Sequence, residues 1–360
     1  MPNTALPRII NQDTSCYRKH IPIGHVRTCS HINATNLNCM TAKEWIKAQL
    51  GVWQFYYEKR DIRNKELHPA TFPLSLSKKI ISLFTHEGEL VIDPFVVSGT
   101  TLLSAQDLNR NAVGFDLQAN YTELCAKRLQ SDNFFNKAQQ LVVQDDSMHI
   151  NQYVTPGEVS LVWTSPPYAN MLNRKRKNKS RRSDTRDNGQ LGKVEQYSQD
   201  MRDLGTMPLK EYTNAMGDIF ERLLPLLKPK GHCVINVPDF WWENERITVH
   251  VSVIEEMRRR GYELRNTIIW DRTNIVNSIG IFGWPSNYIT MGTTFEYLLD
   301  FWRPPVIKPD APIAVGTDIV EESNIVAERR RNYGIRSEPK EMATKKPSKG
   351  KGRKLKAVTV

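Results

Sequence analysis

Three short segments carry the residues able to do chemistry. The first, VIDPFVVSGTT at residues 91–101, reads as a strand ending at Asp93 that turns through Gly99 into a helix starting with Thr100 and Thr101. In a parallel sheet such a corner lies at the carboxyl edge, where ligands bind. Glycine there lets the backbone come close to a ligand, and the free N–H groups of the first helical turn favour polar acceptors. The second segment, VGFD, ends at Asp116 about 20 residues further on, at the tip of the next strand. A carboxylate in that place can accept both hydroxyls of a ribose. Together the two segments point to an adenosine-containing cofactor, although either one alone would pass as ordinary capping.

The third segment, TSPPY at residues 164–168, follows a strand of buried type built on Val159, Leu161, Val162 and Trp163. Pro166 and Pro167 fix the backbone and remove two N–H donors. What remains is a rigid arc of carbonyl acceptors between Ser165 and Tyr168. It suits a planar exocyclic amine, whose N–H groups would be accepted by Ser165 Oγ and the Pro166 carbonyl while Tyr168 stacks on the ring.

The elements needed to position these turns are legible around them. Helical spacing is predicted over residues 40–63, 74–85, 101–108, 121–129, 209–227 and 249–260. Strands are predicted over 90–92, 112–115, 141–143, 159–163, 232–237, 267–270 and 297–302. Alternation of the two implies a mostly parallel sheet covered on both faces, and the closing pair of strands without a helix implies an antiparallel edge hairpin. Residues 170–205 and 273–294 interrupt the pattern as long polar or glycine-containing loops, which in a compact α/β domain are usually functional or disordered.

With those residues in place, the chain resembles an amino-group DNA methyltransferase that uses S-adenosylmethionine. DPFVVSGTT is similar to the family's cofactor signature, DPF followed by a Gly-Ser-Gly-Thr-Thr type of turn. TSPPY matches its catalytic signature, whose first residue is Asp, Asn or Ser. HPATFP, from His68 to Pro73, resembles the segment that covers the methionine end of the cofactor. GFD and the DDS ending at Ser147 fit the positions contacting ribose and adenine. The resemblance spans residues 65–303 and has the γ-type motif order, in which target-recognition sequence follows SPPY, so residues 170–205 and 273–294 are the two candidates for it.

It implies a Rossmann-like methyltransferase fold with a seven-stranded sheet. Residues 1–64 would form an N-terminal region, 65–305 the methyltransferase domain, and 306–360 a basic flexible tail. The cofactor residues implied are His68, Pro69, Phe72, Asp93, Pro94, Phe95, Ser98, Gly99, Thr100, Thr101, Asp116, Asp146 and Ser147; the catalytic ones are Ser165, Pro166, Pro167 and Tyr168. One departure stands out. Val97 occupies a place where the family turn has Gly, and its β-branched side chain suits a β-region backbone and not a positive φ.

The implied reaction is methyl transfer to the exocyclic nitrogen of a base flipped out of DNA. Among such enzymes SPPY goes mostly with N4 of cytosine and DPPY with N6 of adenine, so cytosine is the first expectation and adenine the alternative. Methylation at C5 of cytosine needs a cysteine nucleophile, usually after proline, and none of the five cysteines follows one. A DNA-binding protein on the same fold, inactivated through Val97, is the alternative from another class.

Charge supports a polyanionic partner. The net charge is +11, yet residues 329–360 alone carry +10 and residues 174–186 carry +7, which leaves the rest of the chain at −6. Arg174, Lys175, Arg176, Lys177, Lys179, Arg181, Arg182 and Arg186 adjoin the catalytic turn and are expected to contact phosphates of double-stranded DNA. Charge runs of this kind also occur as plain solvated loops and tails. Trp241 and Trp242 read first as edge packing and second as a wall of the base pocket, and His250 reads as structural.

No signal-peptide pattern or spanning apolar run is present, so a cytoplasmic, nucleoid-associated protein without a membrane partner is expected, with a cognate restriction endonuclease as its functional companion. Cys16, Cys29, Cys39, Cys125 and Cys233 include no CxxC pair and no neighbouring His or Cys cluster, so reduced thiols and no metal are expected.

Overall fold

From Leu74 onward the two hydrophobic periods sort the chain into the predicted strands and helices. The structure is a computed structural model and describes residues 8–10, 29, 37–62, 72–131, 138–169, 200–242, 245–275, 283–284, 288–289 and 291–305. In chain order the strands are β1 (Arg8–Ile10), β2 (Val52–Gln54), β3 (Leu90–Asp93), β4 (Asn111–Asp116), β5 (Gln140–Gln144), β6 (Val159–Thr164), β7 (Leu227–Val237), β8 (Phe240–Trp242), β9 (Glu245–Ile247), β10 (Glu263–Asp271), β11 (Gly283–Trp284), β12 (Tyr288–Ile289) and β13 (Phe295–Trp302). The helices are α1 (Ala42–Ala48), α2 (Lys59–Ile62), α3 (Leu74–Phe84), α4 (Thr100–Asp107), α5 (Ala119–Ser131), α6 (Leu209–Leu223) and α7 (Val249–Arg259). The chain divides into two units, Met1–Pro309 and Asp310–Val360, and the second lies outside the described residues.

One sheet runs β1-β5-β4-β3-β6-β7-β13-β10-β2. Its five inner strands β5, β4, β3, β6 and β7 are mutually parallel. β13 enters antiparallel between β7 and β10. The sheet therefore has nine strands and not the expected seven. β1 adds antiparallel to β5 at one end, and β2 adds parallel to β10 at the other. The β10–β13 hairpin is consequently covered by β2 and is not the edge.

This also corrects the helix predicted over residues 40–63. Trp45 and Trp53 fall at helical spacing, but only Trp53 is buried, 4% exposed on β2, while Trp45 stays 40% exposed on α1. Pairing with β10 lets Trp53 bury its ring against the sheet, which a surface helix could not do. Helix α6 likewise ends at Leu223, earlier than predicted, because Pro225 imposes a short 3₁₀ turn at Leu224–Leu226.

Strands β3 and β6 are buried at every residue, as a sheet packed on both faces requires. One apolar cluster packs α3, α4 and α5 on one face, through Leu74, Ile80, Leu102 and Leu129. A second packs α6 and α7 on the other, through Tyr212, Phe220, Val253 and Met257. Burying each such side chain contributes about 1.5–3 kcal/mol, so the sheet edge bearing the turns is held by a stiff support. No helix among the described residues is long and apolar enough to cross a membrane.

Candidate active site

The carboxyl ends of β3, β4, β5 and β6 converge on one cleft of about 790 Å³, part of it open to solvent. Its walls include Pro94, Phe95, Asp116, Asp146, Ser147, Ser165, Pro166, Pro167 and Tyr168. The fold thus brings together the catalytic residues and much of the cofactor set predicted from separate motifs.

On the cofactor side, Asp116 closes β4 with both carboxylate oxygens engaged by backbone. Val97 N–H donates to Oδ2 at 3.1 Å and Gln118 N–H donates to Oδ1 at 2.8 Å. Removal from water, with the nearby charges of Asp203 and Asp93, pushes its pKa up to about 7 despite those hydrogen bonds. Asp146 accepts from Met148 N–H at 2.9 Å, and Ser147 donates to the Pro94 carbonyl, which ties two walls of the cleft together.

Several predicted cofactor residues serve the turn from beneath. Asp93 is buried, accepts from Thr164 Oγ1 at 2.6 Å and from Phe95 N–H at 3.0 Å, and so fastens the cofactor turn to the residue before Ser165. Burial raises its pKa to about 6. Ser98, Thr100 and Thr101 are buried and do not line the cleft. Phe72 packs on Trp163, ring centroids 5.0 Å apart, and not in the cleft. His68 and Pro69 lie outside the described residues.

Gly99 corrects the expectation of close backbone approach to a ligand. It caps α4 at φ 83°, and a Cβ there would meet Cys125 Sγ of α5 at 2.3 Å. The space that glycine leaves is filled by protein. Val97 is a second correction: its backbone sits at φ 44°, in the left-handed region that a β-branched residue avoids. Three hydrogen bonds fix this tight turn, Val96 N–H to the Phe115 carbonyl at 2.8 Å, Gly99 N–H to the Val96 carbonyl at 2.8 Å, and Val97 N–H to Asp116.

On the catalytic side, Ser165 Oγ and the Tyr168 hydroxyl lie 2.7 Å apart. Behind them stands Asn236 on β7, which sequence reasoning missed. Its Nδ2 lies 2.6 Å from Glu296 Oε2, 3.2 Å from the Tyr168 hydroxyl and 3.3 Å from Ser165 Oγ. The other oxygen of Glu296 accepts from Arg272. The available signal was a polar residue inside the apolar run CVINV, since a buried polar side chain needs a partner.

Also missed were Leu117, Gln118, Tyr121, Arg202, Asp203, Leu204 and Ile219 of the cleft wall. Arg202 pairs with Asp200 at 2.7 Å and lies 3.9 Å from Asp146. Asp116, Asp146 and Asp203 against this one arginine make the cleft rich in acceptors and suited to a ligand with hydroxyl groups and positive charge. The eight basic residues predicted for DNA, Arg174 to Arg186, lie outside the described residues, as do residues 329–360. Trp241 and Trp242 belong to β8, which pairs antiparallel with β9; their side chains are likewise outside the described set. His250 bonds Asp239 at 2.7 Å and stacks on Tyr297, in keeping with a structural reading.

Residues 19–127 match the model of the DNA methylase family. Similar sequences include the Type II methyltransferase M.HpaI of Haemophilus parainfluenzae, 36% identical over 22% of this chain and 26% of its own length. The Type II methyltransferase M.HindIII of Haemophilus influenzae is 40% identical over 21% of this chain and 25% of its own length. The chain thus spans about a quarter of the length of the curated relatives it matches. Among solved structures, TrmN from Thermus thermophilus aligns at TM-score 0.40 and 15% identity, over 67% of this chain and 52% of that one. Magnesium protoporphyrin IX methyltransferase from Synechocystis aligns at 0.34 and 10%, over 60% and 71%. The resemblance to amino-group DNA methyltransferases is borne out over residues 19–127, a stretch that takes in the Asp93 turn and Asp116 but stops short of Ser165.

Proposed function

We propose that this protein is an S-adenosylmethionine-dependent DNA methyltransferase acting on the exocyclic amino group of a flipped base. The observation carrying this reading is one cleft that joins the Asp116 carboxylate to the Ser165–Tyr168 turn. The acceptor-rich wall fits the group: Asp116 would hold the ribose hydroxyls, and Asp146 and Asp203 would face its polar and positive parts. When bound, S-adenosylmethionine supplies an electrophilic sulfonium methyl.

The chain's own residues prepare the nucleophile. An exocyclic amine is weak because its lone pair is delocalised into the ring. Accepting its N–H groups at Ser165 Oγ and the Pro166 carbonyl localises that pair and orients it, so positioning carries much of the rate. For Ser165 to accept, its own proton must go elsewhere, and the Tyr168 oxygen at 2.7 Å is the acceptor within reach. Asn236 Nδ2 gives one N–H to Glu296, itself paired with Arg272, and shares the other between the Tyr168 and Ser165 oxygens from behind. Flipping costs a few kcal/mol, and stacking on Tyr168 would return about 1–3 kcal/mol, so the two are comparable.

Cytosine N4 is the favoured target because the turn begins with Ser165; adenine N6 is the alternative with the same chemistry. A role in restriction and modification is favoured by the Type II relatives, with a cognate endonuclease as functional companion. Residues 174–186 would contact phosphates around the flipped base.

The deciding experiment incubates the protein with unmethylated DNA and labelled S-adenosylmethionine, then identifies the modified nucleoside by mass spectrometry. N4-methylcytosine is expected. N6-methyladenine would keep the mechanism and change the base. No labelled nucleoside on diverse DNA, together with no cofactor binding in calorimetry, would favour the inactive DNA-binding alternative.

A further inference from the structure

At the opposite end of β3 from Asp93, the fold assembles a group of residues that no local motif announces. His86 occupies the turn between α3 and β3 and is 1% exposed. Cys29 Sγ lies 3.2 Å from its Nδ1, and Cys39 Sγ lies 3.3 Å from the same atom. All three donor atoms fall within 4.8 Å of one another. The cysteines are ten residues apart and the histidine is far downstream, so only the fold unites them.

Hydrogen bonds alone would leave the two thiols sharing one nitrogen acceptor and each other. Neutral Nδ1 has one lone pair, so one thiol at most can donate along it. A tetrahedral cation satisfies both sulfurs and the nitrogen together. Zinc bonds of about 2.3 Å to sulfur and 2.0–2.1 Å to nitrogen place S and N roughly 3.5 Å apart, close to the spacing seen. Two thiolates and a neutral imidazole would cancel the double positive charge, which suits a buried position. The surroundings also orient one sulfur: Glu87 N–H donates to Cys39 Sγ at 3.4 Å. The His86 main chain is itself held, its backbone N–H donating to Glu89 Oε2 at 2.9 Å while Glu89 Oε1 pairs with Lys228 at 2.8 Å.

We propose that Cys29, Cys39 and His86 bind a zinc ion that pins the segment carrying the two cysteines to the turn between α3 and β3. The mixed sulfur and nitrogen donor set selects zinc over magnesium or calcium, which take oxygen. Its place in the fold is structural. Beside it, buried Asn38 donates to the Leu83 carbonyl at 2.8 Å, a second tether between the same two regions. The ion would close a loop of more than fifty residues, and its binding energy would count toward folding of the N-terminal segment. This revises the expectation from sequence that no metal is bound.

The test uses the full chain, purified without a metal-affinity step, and measures zinc by mass spectrometry. About one zinc per chain is expected, falling to near zero in Cys29→Ser and His86→Ala. Because those variants can lose their fold, the wild-type chain is also stripped with a chelator and refilled with cobalt. A thiolate-to-cobalt charge-transfer band with a tetrahedral visible spectrum is expected. Absence of both zinc and the cobalt band overturns the proposal, as does full zinc retention in both variants. A Cys29–Cys39 disulfide in the intact protein would overturn it as well. None of these readouts depends on methyl transfer, so the zinc site and the proposed activity stand or fall separately.

Discussion

The Tyr168 hydroxyl lies 2.7 Å from Ser165 Oγ, and Asn236 Nδ2 reaches both. The serine is therefore ordered by two neighbours. Ser165→Ala should leave cofactor affinity unchanged in calorimetry and lower turnover strongly; unchanged turnover would remove Ser165 from the mechanism. Tyr168→Phe keeps the ring but not the acceptor, so kcat should fall roughly fivefold to tenfold, about one hydrogen bond's worth. Tyr168→Ala should in addition weaken binding of DNA carrying a mismatched target base.

Asn236 acts through Ser165 and Tyr168, and so is a positioning residue. Asn236→Ala should lower kcat about tenfold while leaving KM for the cofactor in place, because the amide is remote from Asp116. An equal rise in KM with unchanged kcat would mean that Asn236 serves only to bind.

Asp93 beneath the cleft and Asp116 in its wall make stability and binding depend on pH in opposite senses. Asp116 is raised to about 7 and Asp93 to about 6 by burial. A carboxyl raised on folding contributes stability fully below its unfolded value, and that contribution is lost as the pH rises through the folded one. The Tm of the ligand-free protein should thus fall between about pH 4 and 7 through these groups. Ionised Asp116 is the better acceptor for ribose hydroxyls, so cofactor affinity should rise several-fold across about pH 6 to 8. Asp116→Asn should flatten that rise in a titration series, and an unaltered pH profile would exclude Asp116 as its source.

Val97 at φ 44° stores strain in the turn that faces the cleft. Glycine takes this backbone freely but loses more entropy on folding, about 0.5–1 kcal/mol, against a relief of about 1–3 kcal/mol. Val97→Gly should therefore raise Tm or leave it level, and it should tighten cofactor binding by removing a β-branched wall from the cleft. Loss of stability would show that the valine's contacts outweigh its strain.

The basic segments predict the salt dependence of DNA binding. Each phosphate contact adds about 0.9 to the slope of log affinity against log salt. Deleting residues 329–360 should reduce that slope without changing the methylated sequence, whereas substituting Arg174, Lys175 and Arg176 by Ala should reduce both the slope and turnover. An unchanged slope after the deletion would exclude the tail from DNA contact.

What the sequence determined alone is whatever rests on short-range patterns. Alternation of apolar periods from Leu74 to Trp302 yields the strands and helices, and turn residues such as Asp93, Gly99 and Pro166 mark where the chain leaves the sheet's carboxyl edge. Those turns carry much of the cleft, which is why Asp116, Ser147 and Ser165 were legible before any fold was known. Tertiary structure decided the rest, because strand pairing and side-chain direction join residues distant in the chain. Trp53 reads as helical until β10 offers it a partner strand. Asn236 becomes a neighbour of Ser165 only when β7 pairs with β6, and Glu296 reaches Asn236 only when β13 pairs with β7. Val97 takes a positive φ because the Asp116 carboxylate and the neighbouring strand hold its turn shut, overriding its local preference. Cys29, Cys39 and His86 share no spacing rule, and packing of the N-terminal segment on the α3–β3 turn is what gathers them.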